Sequence, residues 1–196
     1  MRNIMKKIEK QVDFISELEK LKIVTRHNKT LDDRFENSAE HSWQSAITAV
    51  ILEEYFPITL DMEKVMKMLL IHDLGEIYAG DTWLYDDKGK KHAHEKEYSS
   101  IHKSLGILPQ KQAQVLQQLW LEFETGNSPE ARYGRVIDAL IPLINHLVIS
   151  KKNYNPDQLS TEMVLKKKKF IENESQELWN LVLKLIALSV KKGIYK

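Results

Sequence analysis

The chain has 196 residues, of which 42% are hydrophobic and 29% charged, with a formal net charge of +1 and no cysteine. Length and composition predict one soluble globular domain with a core of its own. The lack of cysteine excludes disulfides, thiolate metal ligands and a cysteine nucleophile, and the near-neutral charge does not favour bulk nucleic acid as a partner.

The sequence predicts neither a membrane span nor a secretory leader. The longest apolar run, residues 181–190, is interrupted by Lys184 and Ser189 and is too short to cross a bilayer. The N-terminal segment MRNIMKKIEKQVDF carries charges among its apolar positions, unlike a signal peptide. We therefore expect a cytoplasmic protein without a membrane partner.

The spacing of apolar residues is helical almost from the start. In the first predicted helix they recur at intervals of three and four: Ile4, Ile8, Val12, Ile15 and Leu18. Residues 25–37 break this period and are polar, which predicts a loop. Asn37 or Ser38 is expected to cap the next helix, which runs to about Tyr55.

The remaining elements are also predicted to be helices. Their approximate ranges, including that second helix, are 38–55, 61–74, 92–105, 109–124, 129–150 and 160–192. Residues 80–91 are expected to form a loop, and no stretch alternates as a half-buried strand does. The predicted fold class is all-α, a compact single-domain helical bundle over residues 1–196.

The most informative local motif is Ile71-His72-Asp73-Leu74-Gly75-Glu76. It follows an apolar stripe that includes Val65, Met68 and Leu69, so its polar groups lie at the edge of a buried face. Glu76 is one helical turn beyond His72 and Asp73. A divalent cation would satisfy a neutral imidazole and a carboxylate together. The alternative is a simple surface hydrogen bond between His72 and Asp73.

Two further residues are candidate ligands on other helices. His41 lies near the edge of an apolar stripe that contains Ile47, Val50 and Ile51, where a core or interface histidine is the alternative. Asp138 lies in the apolar stretch VIDALI, and a buried aspartate is normally paired or metal-bound. Its alternative is a buried pair with Arg132, Arg135 or a tyrosine hydroxyl.

These candidates come from three separate helices, which a bundle can bring to one point. Two nitrogens and two carboxylates suit a borderline or hard divalent ion, namely Mn, Fe, Co, Zn or Mg. Such a site would leave positions open for water and substrate.

Three segments together resemble the HD-domain metal-dependent phosphohydrolases, and within them the 5'-deoxynucleotidase subgroup. They are ENSAEHSWQSA (residues 36–46), IHDLGEIYAGD (71–81) and ARYGRVIDALIPLINH (131–146). The similarity runs from about residue 18 to residue 146, with the motifs in order. The resemblance implies a single HD domain with an all-helical fold, commonly a homodimer, that removes phosphate from deoxyribonucleoside 5'-monophosphates.

The resemblance also implies roles for individual residues. It makes four residues the ligands of one divalent metal ion: His41, His72, Asp73 and Asp138. Glu76 matches the family's catalytic acid or base, and Asp81 matches an acid near substrate and the catalytic water. Arg26 matches an early arginine that holds the phosphate, which suits the fork geometry of a guanidinium.

The sequence departs from the family pattern at the sugar-binding position. His27 follows Arg26 where members often carry a tryptophan, so the choice between deoxyribose and ribose stays open. Ala139 follows the last aspartate where a basic residue is common. Trp83, close to Asp81, is expected to line the substrate pocket.

Two other functions remain open on the sequence alone. One is an HD phosphohydrolase acting on nucleoside di- or triphosphates or on another phosphorylated metabolite. The other is a regulator that binds nucleotide or metal without turnover.

The C-terminal part adds two further expectations. The lysines at 166–169 are expected to form a solvated helix face rather than a nucleic-acid site. The predicted helix over residues 160–192, beyond the resemblance, is expected either to cover the bundle or to form a dimer contact.

Overall fold

The computed structural model describes residues 2–196. Over this range the fold is all-α, as the sequence predicts, with the addition of one short hairpin. Nine α-helices lie within these residues: α1 (Arg2–Glu17), α2 (Ser38–Leu52), α3 (Met62–Ile71), α4 (Glu76–Ala79), α5 (Lys90–Leu105), α6 (Gln110–Thr125), α7 (Pro129–Ile149), α8 (Thr161–Lys168) and α9 (Gln176–Lys192). None of these helices is long and apolar enough to cross a membrane.

The prediction of a loop over residues 25–37 is wrong, because this segment contains an antiparallel hairpin. Strand β1 (Thr25–Lys29) pairs with strand β2 (Phe35–Asn37), with Thr25 opposite Asn37. Mostly polar residues fill both strands, so neither shows the apolar alternation that identifies a strand in sequence. The hairpin holds Arg26 and His27 against the helical bundle.

Helix α2 begins at a capping box, which confirms Asn37 as its N-cap. The Asn37 side chain accepts a hydrogen bond from the Glu40 backbone N–H, and the Glu40 carboxylate accepts one from the Asn37 backbone N–H. This reciprocal pair satisfies two backbone donors that a helix start leaves unpaired.

The buried face of α2 is its small and polar side. It carries His41, Ser42, Ser45, Ala46 and Ala49, and His41 is fully buried. The apolar stripe containing Ile47, Val50 and Ile51 instead faces outward, and each of these side chains is about half exposed or more. The hydrophobic pattern of α2 therefore points away from the core, whereas the candidate ligand points into it.

Helix α3 ends three residues before the end predicted from sequence. Its apolar residues Val65, Met68 and Leu69 are buried, and the backbone then tightens into a 3₁₀ turn over His72–Gly75. At Gly75 an added Cβ would lie 3.0 Å from the Cβ of Glu97 on α5. The lack of a side chain at Gly75 thus lets the turn approach α5.

Helix α7 lies at the centre of the bundle and packs against α2, α3, α6 and α9. The side chains that it buries completely include Tyr133, Val136, Ile137 and Leu140. Trp120 and Trp179 are also buried, as expected from the sequence. The core thereby fixes the position of Asp138, which lies on the same helix.

The prediction of one helix over residues 160–192 is wrong, because the segment is broken in the middle. Helix α8 ends at Lys168, a 3₁₀ segment covers Lys169–Asn173, and Ser175 caps α9. Lys168, the last residue of α8, lies one turn beyond buried Val164 and shares its inward face, so that its side chain is only 3% exposed. The expected solvated face at residues 166–169 is therefore also wrong for Lys168.

Candidate active site

The four predicted metal ligands lie together at the junction of α2, α3 and α7. His41 Nε2 lies 2.8 Å from Asp138 Oδ1, and His72 Nε2 lies 3.6 Å from the same oxygen and 3.2 Å from Asp73 Oδ1. One ligand atom from each of His41, His72 and Asp73 falls within 4.8 Å of the others. These distances leave one small volume between two imidazoles and two carboxylates.

The hydrogen bonding of His72 shows that the residues fit a cation. Its Nδ1 lies 2.7 Å from the Leu69 backbone carbonyl, which only accepts, so Nδ1 carries a proton. Nε2 is buried, has no hydrogen-bond partner among residues 2–196 and faces Asp73 and Asp138. A lone pair next to carboxylates needs either a proton or a metal ion between them, and backbone-locked histidines are typical of metal sites.

The charges around His72 point the same way. Burial alone would lower the pKa of His72, but the negative charges of Asp73 and Asp138 raise it to about 9. Burial would likewise raise the pKa of Asp138, but its hydrogen bond from His41 and the nearby imidazole of His72, 3.6 Å away, hold that pKa well below the usual range. Positive charge is therefore favoured between these groups.

The three alternatives for Asp138, a pair with Arg132, with Arg135 or with a tyrosine hydroxyl, do not occur within residues 2–196, where His41 is its hydrogen-bond partner. Arg132 lies 3.6 Å from Glu174, and Arg135 donates to the backbone carbonyl of Glu124, so neither is the partner of Asp138.

Sequence reasoning missed Glu36, which is buried on β2 with Oε2 3.8 Å from His41 Nδ1. Its only signal was its place in the first motif.

Arg26 reaches the site from β1, where it is surrounded by carboxylates. Its Nη1 lies 2.8 Å from Asp73 Oδ2, 3.5 Å from Glu76 Oε1 and 3.6 Å from Asp81 Oδ1. The predicted phosphate-binding arginine thus lies next to three of the predicted site residues, and its charge is largely balanced by them.

Glu76 lies at the start of α4, one turn beyond the His72-Asp73 pair. Ser38 Oγ donates to Glu76 Oε2 over 2.5 Å, and both side chains are buried. Burial raises the pKa of Glu76 well above its usual range, and the charge of Asp73 adds to this effect. A carboxyl group in this environment binds its proton more tightly than an ordinary glutamate does, which is what a proton donor requires.

A cleft of about 590 Å³ opens onto these residues. His27 and Trp83 line it and stack on each other, with ring centroids 4.5 Å apart. His27 Nε2 also lies 2.9 Å from Asp157, a residue that sequence reasoning missed. The cleft has the size of a small-molecule site, and the aromatic pair lines the same cleft as three of the predicted metal ligands.

An all-helical bundle with a His, His-Asp, Asp constellation at its centre defines an HD-type protein. The chain belongs to the HD domain family, whose model matches residues 18–179. This match extends beyond residue 146, where the resemblance read from the sequence ended, and it includes α8.

Individual relatives agree with this family. The chain is 27% identical over 135 residues to the 5'-deoxynucleotidase HDDC2 of Danio rerio, covering 69% of this chain and 66% of that protein. It is 27% identical over 105 residues to the human protein of the same name, covering 54% and 50%. The chain thus spans about half to two thirds of the length of these curated relatives.

A solved structure covers nearly the whole chain. A protein described as a predicted metal-dependent phosphohydrolase, from Magnetospirillum magnetotacticum MS-1, superimposes with a TM-score of 0.88 at 32% identity. The match covers 97% of this chain and 96% of that one.

Proposed function

We propose that the protein is a divalent-metal-dependent phosphohydrolase that releases phosphate from ribo- or deoxyribonucleoside 5'-monophosphates. The observation that carries this proposal is the unpaired Nε2 of His72, which faces Asp73 and Asp138 inside a cleft. The names of the relatives, 5'-deoxynucleotidase and metal-dependent phosphohydrolase, support the same activity.

The proposed cofactor is one divalent ion, held by His41, His72, Asp73 and Asp138. A mixed set of nitrogen and oxygen donors accepts Mn, Co, Fe, Zn or Mg, and we leave the identity to experiment. When bound, the ion would supply positive charge for the phosphate oxygens and make water more acidic.

The proposed chemistry is attack of water on phosphorus with loss of the nucleoside 5'-oxygen. The carboxylate of Asp81 takes a proton from the water as the new P–O bond forms. Protonated Glu76 gives its proton to the 5'-oxygen as the old P–O bond breaks, so that phosphate and a nucleoside are released. Ser38 positions the Glu76 carboxyl group through its hydrogen bond.

The remaining predicted site residues are assigned to substrate binding. Arg26, which lies beside Asp73, Glu76 and Asp81, is proposed to contact a phosphate oxygen when substrate enters the cleft. The stacked rings of His27 and Trp83 offer an apolar face for the sugar or base, because aromatic stacking tolerates different bases.

The test is a panel of nucleoside mono-, di- and triphosphates with added Mn, Co or Mg, and the measurement is released phosphate. We expect inorganic phosphate from monophosphates only when metal is present. Pyrophosphate or triphosphate from the longer substrates would favour the second HD activity. Tight nucleotide binding in calorimetry without release under any metal would make the protein a regulator and overturn the proposal.

We further propose that two chains form a homodimer through the outward-facing stripe of α2. Trp43, Ile47, Val50 and Ile51 lie at helical spacing and are exposed, as in a surface that a second copy would cover. In sedimentation, Trp43→Glu should be monomeric, whereas Ile23→Glu, at an exposed apolar residue elsewhere, should behave as wild type. A monomeric wild type would contradict this arrangement.

A further inference from the structure

The end of α8 places a lysine inside the cleft. Lys168 is only 3% exposed and lines the cleft described above. Among the hydrogen bonds and ion pairs formed within residues 2–196, its ammonium group has no partner. Burial lowers the pKa of Lys168 to about 8, only partly opposed by the charge of Asp138. Its nitrogen is not among the fully buried side-chain atoms that lack a partner, so the ammonium group opens into the cleft, where it is free to pair with an anion.

A second lysine approaches the same space from the start of α5. Lys90 lines the cleft, and burial lowers its pKa, with Lys167 lowering it further. Lys167 itself is different, because its Nζ lies 2.9 Å from Asp87 and is therefore already paired. Asp87 thus balances the charge of Lys167. In the described part of the chain, no carboxylate forms an ion pair with Lys168 or Lys90.

Arg26 does not fill the same role. Its guanidinium lies within 3.6 Å of Asp73, Glu76 and Asp81, which together more than balance its charge. Lys168 and Lys90 therefore bring to the cleft positive charge that no ion pair within residues 2–196 balances. Lys168 is also close enough to Asp138 for that carboxylate to raise its pKa, so an anion at the metal ligands would lie within its field.

We propose that Lys168, assisted by Lys90, is a substrate-binding residue that contacts the phosphate group from the α8 side of the cleft. This inference rests on the proposed function, because it assigns a residue to the same phosphate. An ammonium group forms strong charge-assisted hydrogen bonds to phosphate oxygens. These hydrogen bonds are stronger still where water is excluded. The segment that follows the three sequence motifs would thereby belong to the site.

The experiment compares Lys168→Met with Lys166→Met, an exposed lysine on the same helix. Methionine keeps the length of the side chain and removes its charge. For a nucleoside monophosphate we expect Lys168→Met to raise KM about 10- to 100-fold with kcat within about threefold, since a contact made equally in ground and transition states affects KM. Lys90→Met should give a smaller rise, and Lys166→Met none.

A second measurement separates binding from folding and does not need turnover. Inorganic phosphate should raise the melting temperature of the manganese-loaded wild type, and Lys168→Met should lose most of this shift. Without phosphate the variant should melt at or above the wild-type temperature, because it no longer buries an unpaired charge. A merely structural lysine would instead give a lower melting temperature and keep the phosphate shift.

The outcomes are distinct for the two proposals. If wild type releases no phosphate from any nucleotide but Lys168→Met still loses the phosphate-induced shift, the proposed function fails and the binding role stands. If KM and the phosphate shift of Lys168→Met equal those of wild type, the binding role is overturned. A low-melting variant that keeps the phosphate shift overturns it as well.

Discussion

The two sides of the cleft differ in how their charges are balanced. The acidic side carries Asp73, Glu76, Asp81 and Asp138, which share the single guanidinium of Arg26 and the two histidines. The basic side carries Lys90 and Lys168, neither of which forms an ion pair with a carboxylate within residues 2–196. On both sides, charged groups remain without full compensation, and such groups lower the stability of the folded protein. This difference agrees with the two proposals made above, a cation bound on the acidic side and an anion on the basic side.

Removing a ligand from the acidic side should have the largest effect. His72→Ala, or Asp73→Ala, should lose bound metal and lower phosphate release by at least about a thousandfold, because the main source of positive charge at the phosphate is gone. Metal content by mass spectrometry and phosphate release are the two measurements. The matched control is His92→Ala, at an exposed histidine on α5, which should keep both.

Replacing the proposed proton donor Glu76, with all predicted metal ligands kept, should give the next largest effect. Glu76→Gln should keep one metal per chain but lower kcat by about 10²- to 10⁴-fold, the range typical of general acid–base groups. Glu95→Gln, at an exposed position of α5, is the control. Full activity in Glu76→Gln would show that the assigned proton donor is wrong.

A smaller effect is expected when only the position and pKa of this acid change. The Ser38 hydroxyl hydrogen bond favours the charged carboxylate and so lowers the pKa of Glu76. In Ser38→Ala that pKa should rise, and Glu76 should stay protonated to higher pH. The alkaline limb of the kcat profile should therefore move to higher pH, with less than about a tenfold change in kcat at neutral pH. An unchanged limb would separate Glu76 from proton donation.

The smallest effect concerns stability on the basic side. The pKa of Lys168 is about 8 in the folded protein, below its ordinary value of 10.5, so the unfolded chain binds more protons between these values. The stability of metal-free wild type should therefore rise from pH 8 to about pH 10.5 relative to Lys168→Met, by roughly 1 to 3 kcal/mol. Denaturant unfolding of both proteins at several pH values measures this difference. A constant difference would mean that Lys168 is not buried in its charged form.

The acidic side was largely predictable from sequence, whereas the basic side was not. His41, His72, Asp73 and Asp138 were individually ambiguous, but their order within three motifs selected them, and the structure brings them together. Their chemical roles stay predictions. Periodicity also identified the helices, because apolar spacing is a property of the local sequence.

What the sequence did not predict depends on tertiary contacts. Lys168 lies within a run of four lysines, for which solvent exposure is the usual outcome, but it falls on the same face of α8 as Val164, and tertiary packing buries that face. The hairpin residues are too polar and too few to show a strand pattern. On α2 the apolar stripe faces outward, so hydrophobicity indicated the wrong buried face.

The break between α8 and α9 has a consequence for how such a protein diversifies. Ser175, at the start of α9, donates its hydroxyl to the Tyr55 carbonyl over 2.6 Å, so the segment is attached to the bundle away from the metal ligands. Residues 160–175 give Lys168 to the cleft and Val164 and Ile171 to the buried core, whereas the HD motif lies on other stretches of the chain. If Lys168 binds phosphate as proposed, substitutions at the cleft-facing positions of this segment would change which phosphorylated compounds are held and leave that motif intact.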